Sequence, residues 1–263
     1  MKKFLLIALM GMLAASSAAP VLALGPVGIK AELPLYSKYI WRGINAVDDY
    51  VLQPNLELGL FGFTLGVWGN LELSDVNGTS GDFTEIDYSL GYSLGLAIVE
   101  LGAGFILYDY PNASSFNTTE FYIYGKANVL LSPTLTIYQD IDQFKGAYWE
   151  ASIGHGIGVG ESTQIDLTTG LGLGSKSYIQ GYFPVDPGLP WEPEFSTGAS
   201  STDYFIDAKV PFHPIPFLTV APSLTWTSLL GDAKKSVDAV PDDSVFSGKT
   251  GNFYWGLSAT FSF

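Results

Sequence analysis

The sequence predicts an all-β fold, a transmembrane antiparallel up-and-down β-barrel of twelve strands, and three observations predict it. Mean hydropathy is positive (+0.24) and 14% of the residues are aromatic. Yet after Leu24 no stretch approaches the ~20 consecutive apolar residues that a membrane helix needs. Apolar and polar residues instead alternate with period two, segment after segment, which sorts each segment onto two faces of a sheet. Every charged residue inside a segment falls on the polar parity. A lipid-facing Lys or Arg costs about 2–4 kcal/mol at the bilayer midplane, so a barrel keeps them on the other side. A soluble β-sandwich also alternates, but its outward faces carry more Lys and fewer Gly and Tyr.

The first residues stand apart. Lys2 and Lys3 precede an apolar run, Phe4 to Leu13, and Val21-Leu22-Ala23 supplies a small-residue cleavage site. That is the layout of a secretory signal peptide over residues 1–23, leaving a barrel over residues 24–263. Losing the two lysines takes the formal charge from −14 to −16. Cysteine is absent, which excludes disulfide staples, thiolate metal sites and cysteine nucleophiles.

The strands follow in order. The first, Val27 to Trp41, turns Val27, Ile29, Leu33, Tyr39 and Trp41 to lipid and Lys30, Glu32, Lys38 and Arg42 inward. The second, Val51 to Leu60, sets Leu52, Leu56 and Leu58 against Gln53, Asn55 and Glu57. A tight turn at Phe61-Gly62 leads to the third, with Phe63, Leu65 and Val67 opposed to Trp68, Asn70 and Glu72. The fourth opposes Ile86, Tyr88 and Leu90 to Glu85 and Asp87, and the fifth Leu101, Phe105 and Leu107 to Glu100 and Tyr108. The sixth sets Phe121 and Ile123 against Glu120, Tyr122, Tyr124 and Lys126. A short seventh has Leu135 and Ile137 against Tyr138 and Asp140; the eighth, Trp149 and Ile153 against Tyr148 and Glu150. The ninth opposes Leu167 and Leu171 to Asp166, and the tenth Tyr204 and Ile206 to Asp203, Asp207 and Lys209. The last two set Leu224 and Trp226 against threonines, and Trp255, Leu257 and Phe261 against Asn252, Tyr254 and Ser258.

Connections alternate in length. Those after odd strands are long (43–49, 75–82, 109–117, 141–145, 174–201 and 230–250) and those after even strands are short. Short periplasmic turns with long outer loops are the asymmetry of outer-membrane barrels, so both termini are expected in the periplasm. Trp41, Trp149, Tyr204, Trp226 and Trp255 fall on the lipid parity at the long-loop end, with Phe63, Phe217, Phe261 and Phe263 at the other. Two such rings make an aromatic girdle.

The chain ends Tyr254-Trp255-Gly256-Leu257-Ser258-Ala259-Thr260-Phe261-Ser262-Phe263. This resembles the C-terminal assembly signal of bacterial outer-membrane barrels, and the resemblance implies insertion by the outer-membrane assembly machinery through Phe263. The run from Ser37 through Tyr39, Trp41 and Arg42 to Gly43, then Gln53-Pro54, Gly62-Phe63 and Gly66-Val67-Trp68-Gly69, resembles the TorF-type porins. The match covers about the first fifty residues after residue 23.

The expected function is an outer-membrane channel for passive diffusion of small polar or cationic solutes. Its candidate pore-lining residues are Lys38, Arg42, Glu57, Trp68, Glu72, Glu85, Asp87, Glu100, Glu120, Tyr124, Lys126, Asp140, Glu150, Asp166, Asp203 and Asp207. Counting Glu32, Lys30 and Lys209 as well, the inward parity carries twelve carboxylates against five cations, a field that favours cations. Twelve strands lie between barrels filled by side chains and those that hold channels, so pairing of these charges into a plug is the other reading. Lys38 and Arg42 are expected to pair across to strand two or twelve, with an electrostatic constriction as the alternative. The alternative function is a non-conducting outer-membrane barrel whose long loops, 174–201 and 230–250, bind an external partner; the first, rich in Pro, Gly and aromatics, suits either an inward constriction or an outward surface. Partners are outer-membrane lipid and lipopolysaccharide.

Other chemistry is poorly supplied. The histidines, His155 and His213, sit on the lipid parity and in a turn, away from any nucleophile that needs a base, so no enzyme is expected. No loop has the ligand spacing of a calcium motif, and no cofactor is expected. The acidic balance argues against nucleic acid.

Overall fold

Alternation on segments this long produces strands. In a computed structural model, residues 27–159, 163–183, 198–239 and 249–263 are described, and the expected signal segment lies outside them. The strands are β1 (Val27–Tyr36), β2 (Tyr39–Trp41), β3 (Ile44–Val47), β4 (Val51–Leu52), β5 (Asn55–Leu60), β6 (Phe63–Glu72), β7 (Phe83–Leu96) and β8 (Val99–Asp109). They continue with β9 (Thr118–Ala127), β10 (Thr134–Asp140), β11 (Ala147–Val159), β12 (Thr163–Gly174), β13 (Ser200–Lys209), β14 (Phe212–Ile215), β15 (Leu218–Leu229) and β16 (Gly251–Ser262). Helices α1 (Lys176–Tyr182) and α2 (Gly231–Asp238) lie in the two longest loops.

Neighbouring strands pair antiparallel around a closed sheet. β4 and β5 form one stave of the wall, interrupted at Gln53-Pro54, and both pair β1 and β6. β1 meets β16 from Lys30↔Ser262 to Tyr36↔Gly256, and β13 meets β15 directly. Counted round the wall, that closes twelve staves, and closure removes every free edge. β1 starts opposite Leu60 and Ile29 N–H bonds the Phe263 carbonyl, so Val27 and Phe263 lie at the short-turn end. The turn there between Leu60 and Phe63 has positive φ at Phe61 (49°) and Gly62 (85°), the two-residue hairpin loop whose twist matches its strands.

The packing is inverted relative to a soluble domain. Leu58, Leu65, Leu90, Leu101, Phe105 and Leu224 stand exposed on the outside, while Gln53, Asn55, Asn70, Glu120 and Asp140 are buried within. An apolar band around a closed sheet fits hydrocarbon, and only there is such exposure favourable. Trp226 and Trp255 remain on the outer face of the long-loop end; Phe217 and Phe263 stack at 5.7 Å at the other.

One expectation about the wall is corrected. The first strand does not run to Trp41: β1 ends at Tyr36, and after a bend at Ser37-Lys38 the chain leaves the wall and folds inside as the hairpin β2–β3. Tyr39 and Trp41 therefore do not face lipid, and Trp41 is not in the girdle. Tyr39 is 5% exposed. Inside, the hydroxyl of Tyr39 finds a carboxylate and the indole of Trp41 finds other rings, which hydrocarbon does not supply.

Candidate functional site: the lumen and the hairpin across it

The hairpin closes on two residues, with Trp41 paired to Ile44 and positive φ at Arg42 (46°) and Gly43 (80°). Gly43 is required twice over. Its φ disfavours side chains, and a Cβ there would lie 2.6 Å from Leu229 Cδ2 and 2.7 Å from Asp203 Cβ. The turn is thus pressed against β13 and β15.

Arg42 carries the contact across the barrel. Its guanidinium donates twice to Glu120, at 2.8 and 2.7 Å, and Tyr108 Oη donates to the same carboxylate at 2.8 Å. The guanidinium carbon lies 4.3 Å from the Tyr138 ring centroid, 4.4 Å from that of Tyr148 and 4.5 Å from that of Trp41. Tyr138 belongs to β10, six staves round from β1, so the hairpin spans the full diameter. The two charged side chains are 8% and 1% exposed. Burial opposes the guanidinium charge, but Glu120 outweighs it and holds Arg42 above its ordinary value. Removing either partner of such a pair leaves a buried charge alone, at a cost of about 3–5 kcal/mol.

The hairpin is also tied at its base. Tyr39 Oη donates to Glu85 at 2.8 Å, and its ring lies 5.6 Å from that of Trp68. Burial and the Glu85 charge both raise the Tyr39 pKa, so this hydroxyl keeps its proton. Asp48 pairs with Lys38 at 2.6 Å and with Lys249, and Asn45 donates to Asn252 at 3.2 Å. Helix α1 adds a second inward element. Ser175 caps it, accepting from Tyr178 N–H at 3.2 Å. Tyr178 is fully buried, 5.2 Å from Tyr148, and Tyr182 packs on Trp41 at 5.0 Å while donating to Asp140 at 3.0 Å.

A cavity of about 210 Å³ remains in the lumen. Its wall includes Asp87, Glu150, Asp166, Asp203 and Asp207 against Lys38, Arg42 and Lys209, with Trp68, Tyr108 and Tyr138 supplying ring surface. Of the residues expected to face the lumen, Lys38, Arg42, Trp68, Asp87, Glu150, Asp166, Asp203 and Asp207 meet here. Glu72, Glu85, Glu120 and Asp140 are also inside but buried, taken up by Asn77, Tyr39, Arg42 and Tyr182 respectively. Glu57, Glu100, Tyr124 and Lys126 lie toward the short-turn end, where Lys30 pairs with Glu57 at 3.7 Å, Tyr124 donates to Glu100 at 2.6 Å, and Glu100 sits opposite Lys126. The pairing expected of Lys38 and Arg42 with strand two or twelve is corrected: Lys38 pairs within its own hairpin base, and Arg42 reaches the far wall. Tyr39, Trp41, Tyr178 and Tyr182 are lumen residues that parity alone missed.

A closed antiparallel sheet with an apolar outer band and a polar, charged interior defines a membrane-spanning β-barrel of the outer-membrane class. Residues 21–180 match the family model described as "Bacterial protein of unknown function (Gcw_chp)", and the chain belongs to that family. No curated protein matches the chain. Among solved structures it is similar in fold to a NanC porin, at 9% identity, covering 89% of this chain and 98% of that one with a TM-score of 0.50. A KdgM porin aligns at 13% identity over 90% and 99% of the two chains, with a TM-score of 0.48.

Proposed function

We propose that the protein is a porin-like channel of the bacterial outer membrane, its short turns in the periplasm, which admits small polar or cationic solutes through a lumen narrowed by its own hairpin. The observation that carries this reading is the cavity beside the hairpin, where five carboxylates face three cations, of which Arg42 is already paired with Glu120 and Lys38 with Asp48. Such a lumen repels anions and concentrates cations. The resemblance to TorF-type porins supports it from another side. Tyr39, Trp41, Arg42 and Gly43 of that motif form the hairpin, and Trp68 packs against its base.

The test is conductance in planar bilayers under a salt gradient. The purified barrel is expected to conduct with cation preference, and Asp87→Asn, Glu150→Gln and Asp207→Asn together are expected to abolish that preference while leaving the barrel folded. Silent membranes at high protein concentration overturn the channel reading, and an anion preference overturns its cationic form.

A further inference from the structure

Almost every carboxylate deep in this lumen has a protein donor. Glu85 has Tyr39, Glu120 has Arg42 and Tyr108, Asp203 has Tyr148 and Thr202, and Asp207 has Thr225. Asp87 and Glu150 have none among the described residues, and of these two Asp87 is the one with an oxygen shut off from solvent. Its Oδ1 is buried without a partner, and no hydrogen bond or ion pair reaches it among the described residues. Directly opposite in the β6–β7 register stands Trp68, 2% exposed, whose Nε1–H also lacks an acceptor. Both residues line the cavity.

An unmet buried donor or acceptor costs about 1–3 kcal/mol. Two of them side by side, one of each sense and both on a cavity wall, form a two-point recognition element. An occupant must offer an oxygen acceptor to Trp68 Nε1 and a donor to Asp87. Its charge follows from the surroundings. On β13, six staves from β7, Asp203 and Asp207 outnumber Lys209 on the cavity wall, so net negative charge faces the site from the opposite side as well. Tyr108 adds an aromatic wall to the cavity, and a cation is stabilised over such rings. Its size follows from the space. The cavity's 210 Å³ exceeds the roughly 150 Å³ that accepts benzene but falls short of the roughly 300–1,000 Å³ of ordinary ligand pockets.

We propose that this cavity binds a small amino alcohol, with the ammonium on Asp87 and the neighbouring hydroxyl oxygen accepting from Trp68 Nε1. The inference deepens the channel reading by naming a solute class, and it rests on that reading for the access of solute to the lumen. Binding is tested apart from conduction, by calorimetry on the folded, detergent-solubilised barrel with ethanolamine and with ethylamine, which lacks the oxygen. Ethanolamine is expected to bind about tenfold more tightly, the effect of one satisfied buried donor. Trp68→Phe, which keeps a ring and removes the N–H, is expected to erase that difference, and Asp87→Asn to weaken both amines. Equal affinities in the unaltered barrel, or heats no larger than dilution, overturn the proposal and leave water as the partner of both groups. So does a preference for ethanolamine that survives in Trp68→Phe. Silent bilayers alongside measurable binding would instead remove the channel reading and keep the site.

Discussion

The two ends of the lumen are built from the same alternating strands and differ in what fills them. Toward the long loops the interior is packed: a Cβ added at Gly172 would strike Asp203, Tyr148 and Thr202, and one at Gly174 would strike Tyr178. At the rim of the short turns it is open: a Cβ at Gly95 or Gly158, on the same inward parity, would meet nothing within 4 Å, while further in, at Gly102 or Gly156, it would meet the side chains of Tyr124 or Gln164. Charges differ in the same sense. The Arg42–Glu120 pair is almost wholly buried, whereas Lys30 and its partner Glu57 keep 24% and 17% of their side-chain surface in contact with solvent. The wall does not cause this contrast. It comes from the hairpin and α1, two connections that turn inward, so the barrel is closed down at the long-loop end by its own loops and keeps partly solvent-exposed charges at the other.

Arg42→Ala should disturb that arrangement most. It leaves Glu120 buried and unpaired, at about 3–5 kcal/mol, a penalty the molecule escapes if the hairpin withdraws and water enters. Unitary conductance is expected to rise severalfold in the planar bilayer. Arg42→Lys keeps the charge but not the bidentate geometry, so an intermediate rise is expected. Gly43→Ala should come next. It keeps every charge and forces a Cβ between Leu229 and Asp203 at positive φ, so its rise in conductance separates docking of the turn from the ion pair itself.

A smaller effect is expected at α1. Gly146 lies so close to Tyr178 that a Cβ would meet that residue's backbone nitrogen and Cα. Gly146→Ala therefore pushes the helix off the aromatic cluster without touching the hairpin. Faster tryptic cleavage at Lys176 is the expected readout, with a modest rise in conductance. Unchanged cleavage would mean that α1 contributes nothing to closing the long-loop end.

What the sequence disclosed divides along the same boundary. Wall staves are legible because lipid imposes a rule on every second residue: Leu58, Leu65, Leu90 and Leu224 obey it, and the inward charges follow from their parity. The closure of twelve staves and the placement of Asp87, Glu120 and Asp203 inside were readable for that reason. Tyr39 and Trp41 were not, because alternation continues unbroken across Ser37-Lys38 although the strand does not. Parity records which face a residue would take if the chain ran straight; it holds no information on where the chain bends. The signal that was present is Arg-Gly between two short apolar segments, the composition of a two-residue hairpin loop, with Gly43 supplying positive φ. The partner of Arg42 was beyond reach for another reason. Glu120 is 78 residues away in sequence and one of many carboxylates on the correct parity, so only the diameter of the closed barrel selects it.

The smallest expected effect sharpens the comparison from the open end. Lys30 lies 3.4 Å from Glu32 and 3.7 Å from Glu57, with all three side chains partly in solvent. Ion pairs in that setting contribute about 0–1 kcal/mol, so Lys30→Gln is expected to leave barrel stability and unitary conductance unchanged. It does remove one cation from beside two carboxylates, which should raise cation preference slightly. That increment should fade as salt rises, because the screening length falls to about 10 Å at 0.1 M. The salt dependence is what separates a hydrated vestibule from a constriction, since charges held in a packed region are screened far less. A change in conductance as large as that of Arg42→Ala, insensitive to salt, would place the narrowest point at the short-turn end and reverse the comparison.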